Sequence, residues 1–226
     1  MNHIDISSPK VTDIPVTDMG EELVSVRGII ELGPPPESVE TREHYHWVRK
    51  EVLARLQRAQ TLLPLGLKIR LYEGYRSPQF QHTLFQEQLK RVFVDNPNLS
   101  EREVYAIAAR LVAPIKTYDG VDLYPPHSTG GAVDVEIIDE LGQVIDFGME
   151  IKDWSRVDES LCQTEVVGLP ERAKNNRALL NSVMEAAGFV NYSREWWHFS
   201  YGDQYWACLT GQTHAMYASA GAGLKR

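Results

Sequence analysis

Two short segments, about sixty residues apart, carry the residue types that a catalytic metal site needs. The first, PHSTGGAVDVEI, contains His127 and Asp134, and the second, REWWHFSYGD, contains Glu195 and His198. A catalytic zinc ion takes three nitrogen or oxygen ligands, keeps a fourth position open for water, and works with a base that accepts a proton from that water. We predict that the ligands are His127, Asp134 and His198. Glu195 is then the predicted base.

Local structure is expected to bring the first two ligands together. Gly130 and Gly131 allow a tight turn directly after His127. The apolar run Ala132–Ile138 follows this turn and is typical of a strand, with Asp134 near its start. One turn-and-strand unit would therefore supply two ligands.

The second segment requires an irregular backbone. Residues three apart on a regular strand point to opposite faces, so Glu195 must lie in a loop or at a bulge if it and His198 face one metal ion. The loop-like composition of residues 191–194 permits this. Trp196 and Trp197 either belong to the core or form a wall that excludes water from the site.

The spacing H-x6-D followed by E-W-W-H resembles the VanX-type D-alanyl-D-alanine dipeptidases, zinc peptidases of a wider group that includes D,D-carboxypeptidases and hedgehog-type domains. The segment LKIRLYEGYRSP is similar to the family's strand and Tyr-Arg-Pro-like turn, and Arg76 matches the arginine that stabilises the oxyanion. Glu73 is placed to orient Arg76. The resemblance covers roughly residues 60–206. It implies an α+β fold whose small antiparallel sheet carries the zinc site, with helices packed mainly on one side.

The sequence departs from the family pattern at two positions that concern the substrate. Pro125 stands where the family has a serine two residues before the first ligand, and Ser128 is the candidate replacement hydroxyl. Lys152 stands where an aspartate holds the free amino group of the dipeptide, and a lysine cannot bind an ammonium group. Asp153, with Glu150 or Asp158 as alternatives, would have to take that role. The candidate substrate contacts are Ser128, Asp153, Tyr75 and Trp197, although Tyr75 could equally pack in the core.

The resemblance implies hydrolysis of the peptide bond of D-Ala-D-Ala in cell-wall peptide metabolism, with one zinc ion per chain and a small D-amino-acid peptide as the binding partner. Two alternatives remain open. The first is a D,D- or L,D-carboxypeptidase acting on longer or acylated peptides, which Lys152 favours. The second is a non-hydrolytic, zinc-containing binding domain, and the presence of both Glu195 and Arg76 argues against it.

Composition indicates one enzyme domain over residues 1–226, with a polar lead at about 1–20 and a loose tail at about 211–226. A net charge of −8 without a basic stripe argues against nucleic acid or an anionic membrane as the main partner. The sequence shows neither a signal peptide nor an apolar run of about 20 residues, so we expect a cytoplasmic location. Cys162 and Cys208 are expected to be reduced thiols, and composition predicts no oligomeric state.

Periodicity predicts a mixed scaffold around the motifs. Three- and four-residue apolar spacing indicates helices, alternation indicates strands, and Ser100 with Glu103 forms a capping box. The four histidines away from the motifs, His44, His46, His82 and His214, are expected to be structural. The predicted elements are a strand at 22–32, a helix at 37–63, a strand at 67–72, helices at 78–94 and from 100 to before Pro114, a hairpin of strands 132–138 and 143–147, a helix at 175–187 and a final strand that holds His198.

Overall fold

The computed structural model describes residues 3–36 and 39–221, apart from the side chain of Glu40. The strands are β1 (Leu23–Ser25), β2 (Glu31–Leu32), β3 (Trp47–Arg49), β4 (Lys68–Glu73), β5 (Ala132–Ile138), β6 (Val190–Asn191) and β7 (His198–Ser200). The helices are α1 (Pro9–Thr12), α2 (Val39–Arg42), α3 (Lys50–Leu62), α4 (Pro78–Asp95), α5 (Glu101–Ala108), α6 (Pro126–Thr129), α7 (Glu159–Cys162), α8 (Glu171–Ala186) and α9 (Gln204–Thr210), with a short 3₁₀ helix at Ile151–Asp153. No helix in the described ranges is long and apolar enough to cross a membrane.

Two helices begin where local signals in the sequence predict. The Ser77 side chain accepts a hydrogen bond from the Phe80 amide at the start of α4, and Pro78 occupies the first turn. Ser100 and Glu103 form the reciprocal capping box of α5. These interactions satisfy amide groups that the first helical turn leaves without partners, so both predicted helices are confirmed.

A five-stranded sheet with the order β2-β4-β5-β7-β6 carries the site. It is antiparallel except for the parallel pair β2 and β4. Its two faces differ sharply. On the apolar face, α3 and α8 pack to form the main core, as the predicted α+β architecture requires. The buried members of this core include Val52, Leu56, Ile69, Leu71, Val135, Ile137, Leu180 and Met184.

The opposite face of the sheet is polar. Arg70 and Glu136 form a charge pair there, next to Asp134 and His198, all of them on β4, β5 or β7. A second apolar cluster between α4 and α5, which includes Phe85 and Val104, stands beside this face. The α4–α5 cluster therefore shields part of the polar face from solvent.

Two predicted elements in the first third of the chain are wrong. Residues 22–32 form two short strands separated by a turn, because β1 pairs with β3 while β2 pairs with β4. The predicted helix 37–63 contains α2, the strand β3 and then α3, and its first two residues lie outside the described ranges. The apolar residues before Lys50 have helical spacing, but strand pairing with residues 23–25 determines their conformation.

The predicted hairpin partner at 143–147 is also not a strand. Only the single bridge between Ile138 and Val144 remains of the expected pairing. The Asp139 side chain accepts hydrogen bonds from the amides of Leu141 and Gln143, which tightens the turn. Beyond it the chain leaves the sheet, and Phe147 stacks on Trp196 with 4.2 Å between ring centroids.

The described part of the C-terminal tail is packed, which contradicts the predicted loose segment. Ala215, Tyr217 and Ala220 are buried, and Ala215 forms a parallel bridge with Val16. The Ala220 amide donates to the Ser128 carbonyl, so the tail covers the loop next to His127. Small side chains permit this close approach. Residues 222–226 of the predicted tail lie outside the described ranges.

Candidate metal centre

His127, Asp134 and His198 converge on the polar face of the sheet and are each at least 94% buried. Nε2 of His127 lies 3.2 Å from Nδ1 of His198. Oδ1 of Asp134 lies 3.1 Å from that Nδ1 and 3.3 Å from the His127 nitrogen. Three potential ligand atoms therefore form a nearly equilateral triangle.

This triangle fits a tetrahedral metal ion. With metal–nitrogen and metal–oxygen bonds of roughly 2.0–2.2 Å, adjacent ligands of a tetrahedral ion lie about 3.3 Å apart. Burial lowers the pKa of His198 despite its hydrogen bond with Asp134, which favours the neutral, metal-binding form. Burial alone would raise the pKa of Asp134, but His127 and His198 together hold it well below its usual range. Two imidazoles and a carboxylate are a donor set suited to a divalent cation.

The backbone explains why the three side chains meet. α6 is capped at its C-terminus by Gly130, whose φ of +74° supplies the expected turn after His127. Asp134 on β5 is directly opposite His198 on β7 in the antiparallel register, so both side chains stand on one face. Nδ1 of His127 donates to the carbonyl oxygen of Gly74 at 2.8 Å, which leaves Nε2 directed at the other ligands.

Glu195 lies in the turn between β6 and β7, where the chain leaves regular strand geometry as required. Its amide donates to the Tyr192 carbonyl, and the His198 amide donates to the Glu195 carbonyl. Oε2 of Glu195 is 3.9 Å from Nδ1 of His198. Burial and the charge of Asp134 raise the pKa of Glu195 well above its ordinary value, and Arg76 opposes that shift. The carboxyl group is thus adjacent to the ligands.

Arg76 is fixed by two partners beside the same cluster. Its Nε and Nη2 donate to the two carboxylate oxygens of Glu73, with the Nε bond at 2.9 Å, and its Nη1 donates to Gln81 at 3.0 Å. Burial disfavours the charged guanidinium, but Glu73 outweighs this and raises the pKa of Arg76. Three of the five N–H donors of an arginine are used in this way, so about two remain for a bound molecule.

A β-bulge places Glu73 in this arrangement. Leu71 pairs with Val135, but the next paired residue on β4 is Glu73, opposite Asp134, so Tyr72 is the extra residue. In a regular strand Glu73 would share the apolar face with Leu71. The bulge moves its carboxylate to the face of the ligand cluster.

The cluster opens into a cavity of about 580 Å³, which is within the range of small-molecule sites. The cavity walls include Glu73, Arg76, His127, Asp134, Glu195, Trp197, His198, Phe80, Arg110, Lys152 and Trp154.

Of the four candidate substrate contacts, only Trp197 lines the cavity. Both tryptophans are buried in the core, but Trp197 also lines the cavity and Trp196 does not. Tyr75 is buried and its hydroxyl donates to the Ala220 carbonyl. Ser128 is fully buried, and neither it nor Asp153 is among the lining residues; Lys152, next to Asp153, is.

Sequence reasoning did not identify two groups that organise the site. The Gly74 carbonyl has no side-chain signature, and Gln81 follows Arg76 by five residues, on a helix whose apolar pattern explains its other positions. The glycine at position 74 is the one sequence signal of this close backbone packing. A Cβ atom on residue 74 would lie 2.6 Å from the Trp47 carbonyl oxygen, so only glycine fits there.

Residues 42–219 match the family model described as D-ala-D-ala dipeptidase, Peptidase M15. The chain is 33% identical over 223 residues to a D-alanyl-D-alanine dipeptidase of Synechocystis sp., an alignment that covers 89% of this chain and 90% of that protein. It is 26% identical over 153 residues to a D-alanyl-D-alanine dipeptidase of Escherichia coli, covering 67% and 65% of the two chains. A solved structure of the D,D-pentapeptidase VanY in complex with Zn(II) is 14% identical with a TM-score of 0.46, covering 88% of this chain and 90% of that one.

Proposed function

The chain belongs to the D-Ala-D-Ala dipeptidase family of metallopeptidases, and from this membership we propose that it hydrolyses the peptide bond of free D-Ala-D-Ala with one zinc ion per chain. One observation carries the proposal. The triangle of His127, Asp134 and His198 donor atoms lies beside the Glu195 carboxyl group, and all four residues line one cavity. A structural zinc site is closed by protein ligands, whereas three ligands at a cavity wall leave a position for a reactant.

The chemistry divides among the residues of the site. A bound zinc ion would lower the pKa of a water molecule and polarise the substrate carbonyl. Glu195 accepts the proton of the attacking water and delivers it to the leaving amino group. Arg76, held by Glu73 and Gln81, directs its remaining N–H groups at the negative charge that develops on the carbonyl oxygen. Trp197 limits the access of bulk water from one side.

A second candidate function is a carboxypeptidase that removes the terminal residue from a longer or acylated peptide. Lys152 lines the cavity at the position where the family resemblance expects an aspartate, and its Nζ lies 2.6 Å from Oε2 of Glu150. An ammonium group beside this lysine would be repelled, while a blocked amino group would not. A cavity of about 580 Å³ also has room for more than two alanine residues.

Hydrolysis assays on the zinc-loaded protein separate these candidates. D-Ala-D-Ala, N-acetyl-D-Ala-D-Ala and L-Ala-L-Ala are incubated under identical conditions, and Glu195→Gln protein measures the background. Release of D-alanine from the free D,D-dipeptide alone supports the dipeptidase. Release from the acetylated form alone supports the carboxypeptidase. If the wild-type protein cleaves none of the three above the variant's background, the proposed function is wrong.

A further inference from the structure

The imidazole of His198 has a second nitrogen that takes no part in the ligand triangle. Its Nε2 is buried and has no hydrogen-bond partner among the described residues. When Nδ1 of a neutral imidazole faces a metal ion, Nε2 carries the proton and needs an acceptor. A buried donor without an acceptor destabilises the folded protein, because it has lost its hydrogen bonds to water. For His127 the equivalent nitrogen donates to the Gly74 carbonyl, so only the second histidine lacks such a group.

Asp203 supplies a carboxylate oxygen in the same buried region. The residue is 0% exposed, and its Oδ1 accepts the Trp206 amide at 2.8 Å as the N-cap of α9. Its Oδ2 is buried with no partner among the described residues, as is Oγ of Ser200. Ser200 and His198 are two residues apart on β7 and share one face, and the chain reaches Asp203 three residues later.

Electrostatics also connect the two groups. Burial raises the pKa of Asp203, while the Trp206 amide, the nearby Ser200 hydroxyl and the charges of His198 and His127 act in the opposite direction. An aspartate with no exposure is costly to bury as an ion unless positive or donor groups surround it. Helix capping uses only one of its two oxygens, and the second has lone pairs for both the Ser200 hydroxyl and a further donor.

We propose that Asp203 is a positioning residue of the metal centre, whose Oδ2 accepts a hydrogen bond from a bridging water that in turn accepts the Nε2 hydrogen of His198. The contact selects the tautomer that frees Nδ1 and holds the ring toward Asp134 and His127. The inference rests on the proposed metal site. Histidines that bind metal ions commonly donate their other ring N–H to a carboxylate, and loss of that partner typically weakens metal affinity 10–100-fold.

Asp203→Asn separates this role from helix capping. Asparagine caps helices as well as aspartate does, so its oxygen can keep the Trp206 bond, but its amide nitrogen cannot accept the hydrogen of the bridging water. Zinc affinity is measured by competition with a coloured chelator, and the visible spectrum of the Co²⁺-loaded protein reports ligand geometry. The control is Asp139→Asn, which alters a turn aspartate that accepts two backbone amides away from the site.

We expect Asp203→Asn to weaken zinc binding about 10–100-fold and shift the Co²⁺ spectrum, with the thermal midpoint of the metal-free protein nearly unchanged. Asp203→Ser, which keeps a capping hydroxyl but has a shorter reach, should show the same loss. Wild-type affinity and spectrum in both variants would show that Asp203 only caps α9 and overturn the inference. Failure of the wild-type protein itself to bind zinc would instead remove the metal site, and with it both proposals.

Discussion

The carbonyl oxygen of Gly74 accepts a hydrogen bond from Nδ1 of His127 at 2.8 Å, across 53 positions of the sequence. The turn after β4 thereby fixes the orientation of an imidazole that α6 carries. Gly74 is itself held by its amide, which donates to the Tyr45 carbonyl. The same turn leads into Arg76, so one short segment positions a ligand and the predicted oxyanion donor.

Gly74→Ala should therefore damage the metal centre. The added methyl group would lie 2.6 Å from the Trp47 carbonyl oxygen and 3.0 Å from that of Tyr45, so the turn must move. We expect at least tenfold weaker zinc binding and a lower thermal midpoint, measured by chelator competition and calorimetry. Gly221→Ala, where the added methyl group meets nothing within 4 Å, is the control. Equal zinc affinity in the two variants would show that the Gly74 contact does not position His127.

Glu195→Gln should separate catalysis from metal binding. The amide keeps the size of the side chain but cannot accept the proton of the attacking water, so kcat should fall about 10²–10⁴-fold. Zinc content, measured by atomic absorption, should stay near one ion per chain, because Glu195 is outside the ligand triangle. Glu185→Gln, at an exposed position of α8, should leave kcat unchanged. Full activity in Glu195→Gln would assign the base to another group.

Arg76→Lys tests whether geometry or charge matters at this position. Lysine retains the positive charge but cannot form the paired hydrogen bonds with Glu73 while also contacting Gln81. We expect kcat to fall about 10²–10³-fold with a smaller change in KM, as for the loss of an oxyanion donor. Arg58→Lys on the exposed face of α3 is the matched control. If kcat survives in Arg76→Lys, a point charge is sufficient.

Removal of the proposed metal ion should lower stability without unfolding the protein. The main core lies on the opposite face of the sheet and contains none of the three ligands. Far-UV circular dichroism of the chelator-treated protein should therefore be unchanged, while zinc at 100 times its dissociation constant should raise the thermal midpoint by about 5–10 °C. His127→Gln should abolish that increase. A zinc-independent midpoint in the wild-type protein would contradict the site.

His46 should make the protein sensitive to acid. Burial and the charge of Arg27 lower the pKa of His46 to about 4 from an ordinary 6.5. Between these values the unfolded chain binds a proton that the folded protein excludes, so stability is lost as the pH falls from 6.5 toward 4. Denaturant unfolding across this range should show a shallower loss in His46→Gln than in the wild type. The exposed His82→Gln should follow the wild-type curve, and coincidence of all three curves would refute the role of His46.

The sequence by itself predicted which side chains the structure brings together at the candidate site, and which helices begin at local capping signals. His127 and Asp134 come together because only one turn and the start of one strand separate them. α5 begins directly after Ser100, because Ser100 and Glu103 supply its cap within four residues. Glu195 was expected in a loop, since three-residue spacing on a strand excludes a shared face, and the turn before β7 satisfies that requirement. These features depend on contacts between near neighbours.

Only the tertiary structure decided which partners complete the site. The bulge that moves Glu73 onto the ligand face and the Gly74 carbonyl each depend on segments distant in sequence. The same holds for β3, which helical periodicity concealed, and for the packed residues 215–220. Burial and strand pairing outweigh local propensities of a few tenths of a kcal/mol per residue, so residue type alone could not predict them.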